Sequence, residues 1–525
     1  MEIVVTGPVD EIGLTLLSEA GHDVRTVEVD GPTALADQAE TADALIVAGD
    51  VAVTSIVFER APDLQIVGQA GIDVDAIDVE AATDRGVLVA NAPEESVRSI
   101  AEFVVGLVFA TSRGIPQGHV RLKGGEWAKG DILGSELDGK TAGLIGFDDV
   151  GQEVAKRLGN LGLDIVVYAP DAEDERIERI GAEIVDYETV LDRADFLSLH
   201  ESADADVVLG EDAFDALGEG YLVNCGDPAL IEESALASAV GDGPLHGAAL
   251  DTVQDAPLSE DSPLRDVEDV IVTPGIAAST TGTAESVSTA IARQILAAFA
   301  DEPVENAVNT PSISPDKYPM VRPYADLAET AGRIALQLFG GTPSVVAVDY
   351  AGEIATEDVE PITAGALTGV FDSHGWDANP VNARRVAQRE GVEVDVSTSH
   401  EAPDFQNLLT VTVSDGERSL SVEGTQFADQ DPRIVSIDDY WVEAIPHGYM
   451  LIVRNADEPG VIGYIGTVLG DHDVNIAGMF NSREAIGGEA MSVYNLDDEP
   501  TTAVLEALND DDRILDTTVV QLNGF

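Results

Sequence analysis

Hydrophobic positions along the 525 residues recur with two different periods, and each change of period marks an element. Short β-branched runs at residues 1–6, 44–48, 64–68 and 87–90 alternate with helical patterns at 14–20, 55–61 and 78–85. That alternation predicts a parallel sheet with crossover helices. A second series starts at Lys140 with a strand over 141–145. Val150, Val154, Leu158 and Leu161 then fall on one helical face. Runs at 164–168, 196–199, 221–224, 247–251 and 270–273 continue as strands. The pattern predicts a doubly wound, nucleotide-type domain inserted into a smaller domain of similar class. The polar, proline-rich stretch 301–315 predicts a linker.

Beyond that stretch the texture changes to α+β. A helix is expected over 326–338 and a strand over 344–350; runs at 408–414 and 419–425 flank Asp415-Gly416 as a hairpin. The C-terminal unit reads strand, helix, strand, strand, helix, strand, at 450–454, 461–469, 475–481, 488–494, 501–508 and 517–522. This split-βαβ order is typical of small modules that sense ligands.

Charge changes the picture next. There are 27 Lys and Arg against 98 Asp and Glu, a formal net charge of −71. Such a chain repels nucleic-acid backbones and anionic membranes, so neither is expected as a partner. With 44% hydrophobic residues in periodic order the chain has material for several cores and is not disordered. The expectation is a folded halophilic protein, because at ~1 M salt the Debye length falls to about 3 Å and surface self-repulsion is screened. No apolar run approaches the ~18 residues of a membrane span, and Met1-Glu2-Ile3-Val4-Val5 reads as a first strand, not a signal peptide. The single cysteine, Cys225, excludes a disulfide framework within the chain, and a cytoplasmic location is expected.

Several local words then carry a resemblance. "APDLQIVGQAGIDVDAID", "DGKTAGLIGFDDVGQEVAKRLG", "VNCGDPALIEESAL", "GAALD", "VTPGIAAST" and "VRNADEPGVIGYIGTVLGDHDVNIAGM" stand in the order, and nearly end to end, of the long-type D-3-phosphoglycerate dehydrogenase family. The resemblance implies a Rossmann-type domain (98–284) inserted in a flavodoxin-like substrate domain (1–97 and 285–310). Two α+β regulatory domains follow, an allosteric substrate-binding type at 311–446 and an ACT domain at 447–525. It also implies serine biosynthesis as the setting, NAD as cofactor, an oligomeric assembly and an amino-acid effector, with serine the first candidate.

The same resemblance shows where this chain departs from its family. The glycine turn that brings backbone N–H groups to the cofactor diphosphate reads Gly146-Phe147-Asp148-Asp149-Val150-Gly151. Gly146 and Gly151 are kept, but the middle glycine is Asp148, and the family's ribose-binding acid falls on Ala169. The matched catalytic Arg, Glu and His positions hold Asp227, Ala256 and Gly275. On the substrate side Ala48 replaces an Arg, and Gln69 and Asp73 stand where Arg and Gly are usual. Salt adaptation adds acids to a surface but does not remove His, Glu and Arg from a cleft. The expectation is therefore a family member without normal dehydrogenase activity or NAD binding, serving as an amino-acid-sensing subunit. It would act in a homo-oligomer or in a mixed oligomer with an active relative. The alternative is a working dehydrogenase of 3-phosphoglycerate or another 2-hydroxy acid, for which Asp255 or Asp227 would have to accept the proton.

In the ACT domain the matched effector positions are Asn455, Asp457 and Asn475. An Asp accepts an ammonium group, and Asn side chains supply both donors and acceptors. Arg384 and Arg385 read either as an anion site or as ordinary surface ion pairs. His22, His200 and His246 read as structural, and Cys225 as a small buried hydrophobe. No zinc spacing, phosphate loop or nucleophile elbow is present.

Overall fold

The computed structural model describes residues 1–49, 51–170, 172–201, 208–311, 317–402, 404–427, 431–483 and 485–522. It divides into two compact units, one of residues 1–8, 17–91 and 291–525, the other of 9–16 and 92–290.

In the first unit a five-stranded parallel sheet has the order 2-1-3-4-5 in chain sequence, the flavodoxin-like winding. Its inner strands Ala44–Val47 and Ile66–Gln69 are wholly buried, as expected where helices cover both sides, while the edge strand Asp23–Val27 is polar and partly exposed. The second unit holds a seven-stranded parallel sheet. Counting from Thr141–Ile145 as its first strand, the order is 7-6-5-4-1-2-3, which is the dinucleotide-binding winding with one strand added. The switch of direction lies beside Thr141–Ile145, so the turn after that strand sits where such sheets place a ligand.

The C-terminal part of the first unit carries a six-stranded mixed sheet within 345–444 and a four-stranded antiparallel sheet within 449–521, among the described residues. The helices Tyr318–Phe339 and Glu360–His374 pack on the six-stranded sheet around Leu327, Ile334, Leu367 and Phe371. Met450, Ile452, Met491 and Val493 of the smaller sheet join that core, while its other face covers Val461, Ile465, Val504 and Leu508 of its own two helices.

Two expectations need correction. The stretch read as a linker is stitched to the first sheet: Val308 N–H donates to the Val89 carbonyl at 2.8 Å, and Asn309 Oδ1 accepts the Val89 N–H at 2.8 Å. Its polar side chains complete an edge strand's hydrogen bonds, a use that composition does not reveal; residues 312–315 lie outside those described. The helix expected over 326–338 begins eight residues earlier, at Tyr318, and continues through Pro323. Pro319 stands in the first turn, where the N–H groups have no intrahelical partner, whereas Pro323 lies inside the helix and removes one of its hydrogen bonds.

Candidate functional site

The turn after Thr141–Ile145 keeps its shape through its two remaining glycines. Gly146 has φ +84°, and a Cβ there would lie 2.2 Å from the His200 carbonyl oxygen. A Cβ on Gly151 would lie 3.0 Å from His200 Cγ. His200 therefore acts as the wall on which the turn packs. Its Nε2 lies 2.9 Å from Ser198 Oγ, and burial pushes its pKa down against the opposing pull of Asp148.

Asp148 is the N-cap of the helix Asp149–Asn160. Its Oδ1 accepts the Gly151 N–H at 2.6 Å and lies 3.6 Å from His200 Nδ1. Asp149, the next residue, pairs with Arg176. Both acids thus stand at the positive end of a helix dipole, where each contributes about 0.3–1 kcal/mol. Ala169 follows the strand Asp164–Tyr168 as a bare methyl group, 8% exposed.

The three matched catalytic positions lie in the loops after the strands on the other half of the same sheet. Asp227 caps the short 3-10 turn Pro228–Leu230, its carboxylate accepting the Ala229 N–H at 2.8 Å. Its carbonyl accepts the Asn224 amide at 2.9 Å, and Asn224 Oδ1 takes the Gly226 N–H at 3.0 Å, so this loop satisfies itself. Gly275 has φ +68° and donates its N–H to the Asp251 carbonyl at 2.7 Å. The Asp251 carboxylate, 2% exposed, accepts from Thr273 Oγ1 at 2.5 Å, Ile276 N–H at 3.0 Å and Ala277 N–H at 2.7 Å. A residue that no motif flagged therefore shapes the loop carrying Gly275. Ala256 and Asp255 are both exposed. Cys225 is partly buried, and desolvation pushes its thiol up to about 12, so it stays protonated and unreactive.

In the other unit Ala48 is buried at the end of its strand. Gln69, 6% exposed, has an Oε1 with no partner among the described residues. Asn91 donates to the Ile72 carbonyl and holds the 69–73 loop. Arg384 makes a two-pronged pair with Glu360 at 2.5 and 2.6 Å, and Arg385 meets Glu80 at 3.1 Å. The surface ion-pair reading of these two arginines fits that geometry. His22 tilts against Phe299 and His246 against Tyr221, each with ring centroids within 5.5 Å. Among the described residues no group of three or more His, Cys, Asp or Glu side chains is placed to hold a metal ion.

The expected effector residues do not meet within one chain. Asp457 Oδ2 accepts from Arg483 Nη1 at 3.0 Å and from the Gly487 N–H at 2.9 Å, and these contacts hold its pKa down. Asn475 donates to Asp497 at 2.6 Å. The strand Ile476–Arg483 starts beside Asn475 and ends at Arg483, so the two predicted residues stand roughly 25 Å apart at ~3.3 Å per residue. Asn455 is 2% exposed, with its amide donating to Ala456 O and its carbonyl oxygen accepting from Ser492. Arg483 was not legible as a site residue: a lone arginine at a strand end matches no motif.

Comparison with known proteins fits this architecture piece by piece. The NAD binding domain of D-isomer specific 2-hydroxyacid dehydrogenases matches residues 105–277. The intervening domain of D-3-phosphoglycerate dehydrogenase matches 320–438, and the ACT domain matches 449–513. A D-3-phosphoglycerate dehydrogenase of Archaeoglobus fulgidus is 35% identical over 528 aligned residues, covering 99% of this chain and 100% of that one. The chain belongs to the D-3-phosphoglycerate dehydrogenase family. The Bacillus subtilis member is 32% identical over 93% of both chains. Among solved structures, a 2-hydroxyacid dehydrogenase of Ketogulonicigenium vulgare superposes with a TM-score of 0.52 at 29% identity, covering 58% of this chain and 98% of that one. A Thermus thermophilus protein gives 0.54 at 28%, covering 59% and 100%. The family is one of serine biosynthesis, with an NAD-binding domain and an ACT regulatory domain. No single helix among the described residues is long and apolar enough to cross a membrane.

Proposed function

We propose that this chain is a non-catalytic member of its family, a regulatory subunit whose ACT domain binds serine or a related amino acid. The reading rests most heavily on Asp148. The backbone N–H that the glycine turn would offer to a diphosphate is taken by the chain's own carboxylate at 2.6 Å, with Asp149 alongside. Those residues do not fit NAD: the helix end already has its anion, and Ala169 offers a ribose no acceptor. The catalytic positions support the same conclusion. Asp227 is engaged with its own loop, and Ala256 and Gly275 have no group that accepts a proton.

The ACT domain, by contrast, keeps groups suited to a zwitterion. Asp457 is a carboxylate of the kind that takes an ammonium, once Arg483 yields it, and two ACT domains placed edge to edge would bring one chain's Asp457 towards the other's Asn475. The subunit would then act through assembly, with further copies of itself or with catalytically intact relatives in the cytoplasm. Calorimetric titration in molar potassium chloride tests this. L-serine should give a saturable heat, NADH none, and Asp457→Asn should weaken serine at least tenfold. Micromolar NADH binding, or no heat from serine or related amino acids, would overturn the reading.

Halophilic origin belongs to the same proposal, carried by the charge of −71. Raising potassium chloride from 0.1 to 2 M should raise the thermal midpoint, because screening removes more repulsion among 98 acids than attraction in the surface ion pairs. A midpoint that falls with salt would sink it.

A further inference from the structure

Asp457 already holds a cation, the Arg483 guanidinium, at the position where the proposed function puts an ammonium. Residues 447–525 contain 14 Asp and Glu, and their only Lys or Arg residues are Arg454, Arg483 and Arg513. The register gathers all three arginines at one end of the four-stranded sheet. Arg454 stands opposite Met491 and Arg483 opposite Ala490, and the Arg513 carbonyl accepts the Ala456 N–H at 2.8 Å. The helix Val461–Asp471 opens just beyond Ala456, so its positive dipole end lies at that end too. In so acidic a domain, this is the end that an anionic group can approach.

The three arginines are not held alike. Arg513 grips Asp511 with two prongs, at 2.8 and 2.6 Å, and Arg454 meets Glu489 at 2.7 Å. Arg483 reaches Asp457 through Nη1 alone, at 3.0 Å, and its side chain is 50% exposed. A guanidinium fork fits a carboxylate best through two parallel hydrogen bonds, and this pair engages one. Asp457 in turn meets both Arg483 and the Gly487 N–H with Oδ2, which leaves Oδ1 without a partner among the described residues. An α-amino acid carries its ammonium and carboxylate on one carbon, about 3 Å apart by standard bond lengths, and so presents the complement of this ion pair. We propose that Arg483 swings off Asp457 when the effector arrives and takes its α-carboxylate, while Asp457 takes the ammonium. The arginine exchanges an end-on contact for a fork, and neither charge is left alone. This inference rests on the regulatory reading above and narrows the ligand to a free α-amino acid with both ends unblocked.

Calorimetric titration of the full chain in molar potassium chloride tests the proposal. L-serine is compared with ethanolamine, which keeps the ammonium and the hydroxyl but has no carboxylate. The wild type should bind L-serine at least tenfold more tightly than ethanolamine. Arg483→Gln, with an unchanged circular dichroism spectrum, should lose at least tenfold for L-serine, while its affinity for ethanolamine holds or rises as Asp457 is freed. Arg483→Lys, a point charge without the fork, should recover part of the loss. If L-serine is silent, L-alanine against ethylamine reads the same contrast. Equal binding of the amino acid and its amine by the wild type would overturn the inference. So would amino-acid binding that is unchanged or tighter in Arg483→Gln, because the arginine would then only block Asp457; both results leave the regulatory reading standing. No heat from either amino acid with the wild type would overturn the inference together with that reading.

Discussion

With 3-phosphoglycerate and NAD, the purified protein should turn over at least ~10⁴-fold more slowly than a family member with Arg, Glu and His in place. A missing proton acceptor alone costs about 10²–10⁴ in rate, and a lost clamp on the substrate carboxylate adds to it. Restoring the three groups together by Asp227→Arg, Ala256→Glu and Gly275→His should leave the rate at that floor. Two features of the structure explain why. Residue 275 has φ +68°, a left-handed conformation in which a histidine would pay roughly 1–2 kcal/mol, straining the loop whose N–H at 275 meets the Asp251 carbonyl. The triple variant would also still carry Asp148 in the cofactor turn. Stopped-assay measurement of NADH formation checks both enzymes. Wild-type turnover within a hundredfold of the relative would return Asp255 and Asp227 as proton acceptors and end the regulatory reading.

Asp148→Gly should produce NADH binding where the wild type has none, by a gain of two to three factors of ten in affinity. One negative charge about 4–5 Å from a phosphate costs roughly 3–4 kcal/mol at an effective dielectric constant near 20. The substitution removes that charge and frees the Gly151 N–H together. Glycine replaces an Asp cap at a cost of only a few tenths of a kcal/mol, so the helix should survive. Asp148→Asn separates the two effects, since the amide oxygen keeps the cap while the charge goes. If charge dominates, Asn recovers most of the gain; if occupation of the N–H dominates, only Gly does. Nucleotide fluorescence titration reads all three proteins. Equal, undetectable binding in each would place the obstacle at Ala169 instead.

The legible part of this protein is the part written in neighbouring residues. Strands at Thr141–Ile145, Asp164–Tyr168, Phe196–Leu199 and Tyr221–Asn224 follow from apolar runs bounded by turns, and their observed bounds agree with the pattern. The helix Val97–Ser112 was not legible. Its burial at Ile100, Ala101, Val104, Leu107 and Val108 is spread over an apolar run with little polar relief, and residues 115–133 after it include exposed apolar side chains that mimic a core pattern. Asp251 and Arg483 escaped notice for another reason: each acts on residues 22–26 positions away, through contacts that no local word encodes.

By itself the sequence determined the order of the domains, the winding of the first two sheets and the loss of side chains at Ala256 and Gly275. Periodicity and spacing are local properties, and a missing group is missing in any conformation. Only the tertiary structure decided that Asp148 turns onto its own helix and that Asp227 closes its own loop. It likewise decided that Asp457 takes Arg483 as partner, and that Asn475 stands a strand's length away. Each of these depends on where a side chain points and on what the folded chain brings within about 3 Å of it, a distance at which hydrogen bonds form or fail.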